Sequence, residues 1–421
     1  MKNCGKCIYE KSCSNCKADE IISVEFYAVQ NLSRHGSLFG IAIDIGTTTV
    51  VFELLNLQTG ERIAVFSCVN SQREFGLDVI SRISQAVSGN AVRLHEVIMD
   101  NIQQGISSVL TQSGVEKNEI SRIVICGNTT MLHLLQNFSC ETLGVFPFTP
   151  VSVELVRKNL FGLETIILPG VSAFIGADIV AGVFYCDKTL ESNLLIDLGT
   201  NGEMVLFNDK KILAASVAAG PAFEGGNISS GTASVPGAIA KARYSPETNS
   251  FLCDTINKKP PVGICGTGVI SVCAELIRHG LVDETGFLKT DCVIIANGEK
   301  QIQFTQKDIR EVQLAKSAVR AGIEVLIEEA GISYKNIGKV FLAGGFGYTM
   351  DAESAAVLGL IPEALKNKIH AAGNAALGGA AKFLLDPSCE PEIQKIAAST
   401  KEINLATHPR FQELFITHCN F

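Results

Sequence analysis

Charge is scarce in this sequence: Asp, Glu, Lys and Arg make up only 19% of its 421 residues, and no run of one sign occurs. Lys and Arg number 35 against 43 Asp and Glu, a net charge of -8. Sequence-independent binding to a phosphate backbone needs a dense basic face, so nucleic acid is not an expected partner. Long apolar runs are missing as well. The longest are broken by Gly, Asn or charge far short of the roughly 20 residues of a membrane span, so no membrane partner is expected either. Behind Met1 come Lys2, Asn3 and Cys4 with no apolar segment. No signal peptide is therefore expected, and the predicted location is cytoplasmic. Two nucleotide signatures are also lacking: no G-x-x-x-x-G-K-S/T loop, and no G-x-G-x-x-G after a strand. That excludes a P-loop or a dinucleotide-binding fold.

What the chain does have is apolar residues, 47% of the total, and length enough for two or three domains with sizeable cores. It also has 14 cysteines, very unevenly placed. Cys4, Cys7, Cys13 and Cys16 fall at the start with the spacing C-x2-C-x5-C-x2-C. Four thiolates that close together can surround one metal centre, and both a structural zinc and an iron–sulfur cluster satisfy that geometry. The other ten are scattered without a C-x2-C pair, mostly among apolar residues, and read as small buried hydrophobes.

Three zones follow. Residues 1–36 form a polar head ending at the linker-like SRHGS. From FGIAIDIGTTTVVFELLN onward, strands and helices alternate to the end. IVICGN, LLIDLGT and KVFLAGGF read as buried strands, while DVISRISQAV, GVISVCAELIRHG and DIREVQLAKSAVRAGIEVLIEEA have helical spacing. The alternation predicts α/β layers with mixed sheets. SPETNSFLCDTINKKPPVG is polar and turn-rich, as expected of a surface hairpin or insertion. IAIDIGTTTVVFELLN at 41–56 is echoed by LLIDLGTNGEMVLFN at 194–208, which predicts a duplicated fold.

Each echo is a strand delivering an Asp to a glycine turn. Backbone N–H groups and hydroxyls at such a turn donate to phosphate oxygens, and the carboxylate is a hard ligand suited to Mg²⁺. The first turn offers Asp44, Gly46, Thr47, Thr48 and Thr49. The second offers Asp197, Gly199, Thr200, Asn201 and Gly202. Two such turns would clamp a nucleotide's phosphates from opposite sides, whereas the plain alternative is two ordinary β-turns. FLAGGFG at 341–347 ends a third strand in glycines, with Gly344, Gly345 and Phe346 placed for close approach to an adenosine. Gly220 and Glu224 in GPAFEGG are candidates for the ribose, or for bracing a turn.

DIGTTTV, DLGTNGE and LAGGFG, in that order, resemble the two phosphate motifs and the adenosine motif of the acetate and sugar kinase, Hsc70 and actin superfamily. EFGLDVISRI, ICGNTTMLHLL, AAGPAFEGGNI, GICGTGVI, QLAKSAVRAGIE and GNAALGGA narrow this further. They resemble the ATPase domain of the reductive activators of corrinoid proteins, from about Phe39 to near Leu385. The resemblance implies two actin-like, ribonuclease-H-type lobes around a nucleotide cleft. Expected boundaries are 1–36 for the Cys-rich head, 37–190 for lobe 1 and 191–421 for lobe 2, with the C-terminal helices packing back on lobe 1. The implied function is electron transfer onto an inactive cob(II)alamin protein, coupled to ATP hydrolysis. The implied cofactors are ATP, Mg²⁺ at Asp44 and Asp197, and one iron–sulfur cluster on Cys4, Cys7, Cys13 and Cys16. A 4Fe-4S cluster is preferred, since the spacing matches neither familiar ferredoxin pattern. The head is shorter than the ferredoxin-like domain of the known activators.

Hydrolysis needs a carboxylate to orient or deprotonate water. GADIVAG at 176–182 resembles the segment of sugar kinases whose Asp is the base, which makes Asp178 the first candidate and Glu203 its rival. The alternative for Asp178 is a helix cap. The expected partners are a corrinoid protein of a methyltransferase system and a ferredoxin-like electron donor, and a homodimer is admitted. Two other functions fit part of this pattern: activation of another low-potential enzyme, of the 2-hydroxyacyl-CoA dehydratase type, and a small-molecule kinase with a zinc head.

Overall fold

The computed structural model of the chain describes residues 39–186, 189–199, 201–298, 300–344 and 350–421. The predicted ligands Cys4, Cys7, Cys13 and Cys16 lie outside them, as do Thr200, Gly345 and Phe346. The described residues fall into two compact units, one drawn from 39–186 with 374–402, the other from 189–373 with 403–421.

The first unit opens with β1 (Phe39–Ile45), β2 (Thr49–Asn56) and β3 (Arg62–Val69). After α1 (Val79–Gln85) and α2 (Ala91–Ser113) come β4 (Ile120–Gly127) and α3 (Thr129–Gln136). Then β5 (Val156–Leu160), β6 (Leu163–Ile167) and α4 (Ala177–Tyr185) complete its first stretch. The sheet runs β3-β2-β1-β4-β6-β5, with β1 antiparallel to β2 and parallel to β4. β1 and β2 are buried on both faces, which explains why they read as near-continuous β-branched runs rather than alternating ones. Helix α2 turns Leu94, Ile98, Ile102, Ile106 and Val109 inward at helical spacing. A Cβ on its Gly105 would sit 2.1 Å from the Phe52 ring, so glycine is what lets helix and sheet come this close.

The second unit repeats the plan. β7 (Ser192–Leu198), β8 (Gly202–Phe207) and β9 (Ile212–Val217) form a meander. β10 (Ala238–Ser245), β11 (Ser250–Thr255) and β12 (Gly263–Ile264) make a small sheet, so the polar stretch expected at the surface is largely the second arm of a hairpin. After α5 (Gly266–Arg278), the β13 (Cys292–Asn297) and β14 (Gln301–Thr305) ribbon leads into α6 (Gln306–Ala330). A Thr305–Asp308 capping box starts α6, and Gly331 in the left-handed region stops it. β15 (Ile337–Ala343), α7 (Ala352–Val357) and β16 (Ile369–Gly373) follow. The central strands run β16-β15-β7-β8-β9. Position for position this matches β6-β4-β1-β2-β3, so the echo in the sequence is an echo in topology. One core of Leu194, Ile196, Met204, Phe223, Val269, Val319, Leu326 and their neighbours fills this unit.

The chain then contributes α8 (Ala375–Leu385) and α9 (Glu390–Ser399) to the first unit, and α10 (Pro409–Thr417) to the second, where it packs on α6. Among the described residues no helix is long and apolar enough to cross a membrane.

Candidate functional site

In the first unit the site grows from the C-terminal ends of two parallel strands, the place where α/β sheets present ligands. The β1–β4 register sets Asp44 beside Cys126. One residue pair further on, at Ile45 and Gly127, both strands end, β1 leading into the Gly46–Thr48 turn and β4 into Asn128. The turn is closed by the Gly46 N–H donating to the Thr49 carbonyl at 2.9 Å. Asn128 does two jobs: its Oδ1 accepts from the Met131 N–H (3.0 Å) to start α3, and its Nδ2 donates to Thr47 Oγ1 (3.0 Å). Thr47 is buried, Thr49 half-buried and Thr48 exposed.

Asp178 arrives from another direction. It stands in the first turn of α4, but the N-cap is Gly176, and the Asp178 Oδ1 takes the N–H of Ile179 at 2.8 Å. Gly176 has little choice: a Cβ there would lie 2.6 Å from Asn128 Cα and 2.8 Å from Asp178 Oδ1. The β4 end and the α4 start therefore touch through backbone. Burial lifts the Asp178 carboxyl to about 7, the charge of Asp44 adds to the rise, and the Ile179 amide pulls against both. Burial likewise lifts Asp44 to about 6, against the donors Asn374 and Cys126. Each carboxyl is thus poised near neutrality by desolvation first and its environment second.

Asn374 and Cys126 are residues that sequence reading missed. Asn374 is the N-cap of α8: its Oδ1 accepts from the Leu377 N–H (2.8 Å) while its Nδ2 donates to Asp44 Oδ2 (2.8 Å). The Cys126 thiol lies 3.4 Å from the Ala376 carbonyl and 3.8 Å from Asp44 Oδ1. Burial, with the negative charge of Asp44 and Asp178, holds that thiol well above its ordinary range, so it is a neutral neighbour rather than a nucleophile. Strings such as ICGN and GNAALGG contained these residues, but only the folded register shows what they face.

The second unit builds a comparable constellation. Asp197, on β7, stands directly opposite Glu203 of β8 and beside Ala343 of β15. Gly199 N–H donates to the Asn201 carbonyl at 3.0 Å, closing the turn. Gly202 begins β8. Ser216 Oγ lies 3.5 Å from Glu203 Oε1. Gly344 has φ 94°, and a Cβ on it would meet Asp197 Oδ1 at 2.9 Å and the Leu198 carbonyl at 2.6 Å. Gly344 of the third glycine motif therefore lies against the Asp of the second. Gly220, with φ 76°, precedes the short turn Pro221–Glu224, and the exposed Glu224 brings its carboxylate to the side of Gly199. Among the described residues, the candidates of each unit are gathered at one place in that unit. In donor chemistry, Asp44 with Asp178, and Asp197 with Glu203, suit a hard divalent cation such as Mg²⁺. The head cysteines lie outside the described residues.

Two repeated mixed sheets, each with an acidic glycine turn, define an actin-like chain of the ASKHA class. Residues 191–421 match the family described as the C-terminal domain of RACo, the ASKHA domain, and residues 39–190 match the RACo middle region. The chain is 33% identical to the corrinoid activation enzyme RamQ of Eubacterium limosum, over 91% of this chain and 70% of that protein. It is 29% identical to the Co(II) methylated amine-specific corrinoid protein reductase of Methanosarcina barkeri, over 91% and 77%. A solved structure of a reductive activator for corrinoid, iron–sulfur protein matches with TM-score 0.85 and 33% identity, covering 92% of this chain and 67% of that one. The chain belongs to the RACo family of corrinoid reductive activators.

Proposed function

We propose that this protein is an ATP-dependent reductive activator that delivers a low-potential electron to the cob(II)alamin of a partner corrinoid protein. The observation that carries the reading is the pair Asp44 and Asp178, lifted to about 6 and 7 beside a threonine turn in a chain of this family. A base that works at neutral pH wants a pKa near 7, and Asp178 has one by burial. Asp178 would take or orient the proton of the attacking water. Asp44, steadied by Asn374, would hold Mg²⁺ through its waters, the metal supplying charge compensation at the phosphates. In the second unit, Asp197 takes the corresponding place at its own turn, with Glu203 across the strand. Gly344 makes room beside that turn for a nucleotide.

A 4Fe-4S cluster on Cys4, Cys7, Cys13 and Cys16 would supply the one-electron carrier. Energetically the coupling is sensible. A step of about 59 mV uphill costs tenfold in equilibrium for one electron, so a gap near 250 mV costs about 6 kcal/mol, within what ATP hydrolysis provides.

The test follows the cob(I)alamin absorption band anaerobically, with candidate corrinoid proteins and a ferredoxin or chemical donor. Full-length protein should bind iron and reduce cob(II)alamin only with ATP and Mg²⁺. A chain lacking residues 1–36 keeps both phosphate turns and should bind ATP but reduce nothing, because no second C-x2-C pair replaces the lost thiols. Equal reduction by both forms would remove the head from the mechanism. A colourless zinc protein that phosphorylates a small acceptor would make this a kinase.

A further inference from the structure

The segment EFGLDVISRI, which contributes no candidate to the site, buries a cation. Arg82, on α1, is fully buried. Its helix is fixed at the start by a capping box between Asp78 and Ser81, so the arginine has little freedom to swing out. The guanidinium spends its donors on neutral acceptors. Nε donates to the Gly76 carbonyl at 3.0 Å, Nη1 to Met131 Sδ at 3.1 Å, and Nη2 to the Thr47 carbonyl at 2.6 Å. Among the described residues no carboxylate comes within ion-pair distance of it. Burial brings its pKa down to about 10, with Asp78 supporting the charge and Arg73 opposing it, so it remains a cation at neutral pH. Burying a cation with no carboxylate beside it is unfavourable unless something else opposes the charge.

The carbonyl that Arg82 holds belongs to the first phosphate turn, and the flanking carbonyls are held as well. The buried Asn70 donates from Nδ2 to the Gly46 carbonyl (2.9 Å) and from its backbone N–H to the Thr48 carbonyl (2.9 Å). In a trans peptide the C=O and the next N–H point in opposite directions. Fastening the Gly46 and Thr47 carbonyls on the protein side therefore turns the Thr47 and Thr48 N–H groups the other way. Neither of those amides donates to a backbone acceptor among the described residues. Consecutive outward amides form an anion-binding concavity.

We propose that Arg82 is a positioning residue for phosphate: with Asn70 it locks the 46–48 carbonyls inward so that the Thr47 and Thr48 amides face the bound phosphate, whose charge opposes its own. The proposal rests on the ATP reading of this turn and adds to it the residue that shapes the turn.

The test compares Arg82→Gln and Arg82→Lys in the full chain by calorimetric binding of ADP, pyrophosphate and adenosine. Gln removes the charge and should weaken ADP and pyrophosphate by about ten- to a hundredfold, the range for a hydrogen bond to a charged group, while adenosine affinity holds. Lys keeps the charge without the planar fork and should fall between parent and Gln. Equal losses for all three ligands would make Arg82 a brace of the fold only and overturn the proposal, as would unchanged ADP affinity. If the Gln protein fails to melt cooperatively, the Lys variant carries the test: a severalfold loss for ADP with adenosine unchanged supports the proposal, and no difference between them overturns it. A parent protein that binds neither ADP nor pyrophosphate would instead sink the ATP reading of the turn.

Discussion

Asp178 carries opposing demands at a single side chain. Its carboxyl and that of Asp44 sit at about 7 and 6, against 3.8 for the free side chain. Between pH 4 and 7 the folded chain therefore holds protons that the unfolded chain has lost. Stability contributed by this pair falls as pH rises through that window, and the whole cost is present above pH 7. Asp178→Asn removes one of the two ionisations. We expect it to stabilise the nucleotide-free protein at pH 8 by roughly 1–2 kcal/mol after discounting for partial exposure, read as a higher melting temperature, and to do nothing at pH 4. The same variant should bind ATP but hydrolyse it about 10²–10⁴-fold more slowly, the usual worth of a general base. Asp44→Asn and Asp197→Asn should each lower turnover by orders of magnitude as well. A variant Asp178→Asn that is no more stable at pH 8, yet turns over normally at saturation, would return Asp178 to a structural part. As candidates, Asp44 and Asp197 stand out in the sequence because an apolar strand ending in Asp and Gly is a local pattern, whereas Asp178, in the first turn of α4, stands out only through the likeness of GADIVAG to a sugar-kinase segment. Asn374 was not: it lies 330 positions from the Asp44 it supports, and only the start of α8 brings it there.

At the scale of elements, the glycines differ in what they permit. Gly344 and Gly331 both have positive φ, 94° and 69°. Beside Gly331 there is open space, whereas a Cβ on Gly344 meets the Asp197 carboxyl and the Leu198 carbonyl. Gly331→Ala should therefore cost only the backbone term, about 1 kcal/mol, with ATP turnover unchanged. Gly344→Ala should lower stability further and abolish turnover, since either the β15 end or Asp197 must move. Melting curves and phosphate release on the two variants separate these outcomes; matching losses of activity would mean that the contact with Asp197 is not what matters. The helices and hairpins could be read in advance where their chemistry is local. The 25-residue α6 combines a Thr–Asp cap, helical spacing and a terminal Gly in one stretch. Sheet register could not. Asp44 meets Cys126, 82 positions away, because β1 and β4 pair in parallel, and no feature of either strand alone specifies that pairing. The scattered cysteines were readable as apolar filler in kind, and burial does push the Cys140, Cys253 and Cys273 thiols up to about 11, 11 and 12. Four of the ten are nonetheless half-buried rather than enclosed.

At the scale of the whole molecule, the two units repeat one strand order, so the chain was recognisable as duplicated from IAIDIGTTTV and LLIDLGTNGE alone. Its formal charge of -8 assumes that every carboxylate is ionised. Asp44 and Asp178, at about 6 and 7, break that assumption near neutrality: the pair, Asp178 foremost, keeps a proton for part of the time. On the proposed function, a divalent cation arriving with its nucleotide would favour the ionised form of both acids and expel that proton. Association would then release a proton, and its measured heat would depend on the medium that absorbs it. Titrating Mg–ATP into the protein at pH 6.5 in buffers of low and high ionisation enthalpy should give different apparent heats, with the difference reporting a fractional proton lost per nucleotide. It should shrink towards zero by pH 9 and be much reduced in Asp178→Asn. Heats that do not vary with buffer at pH 6.5 would show that the acid pair is already ionised when the nucleotide arrives.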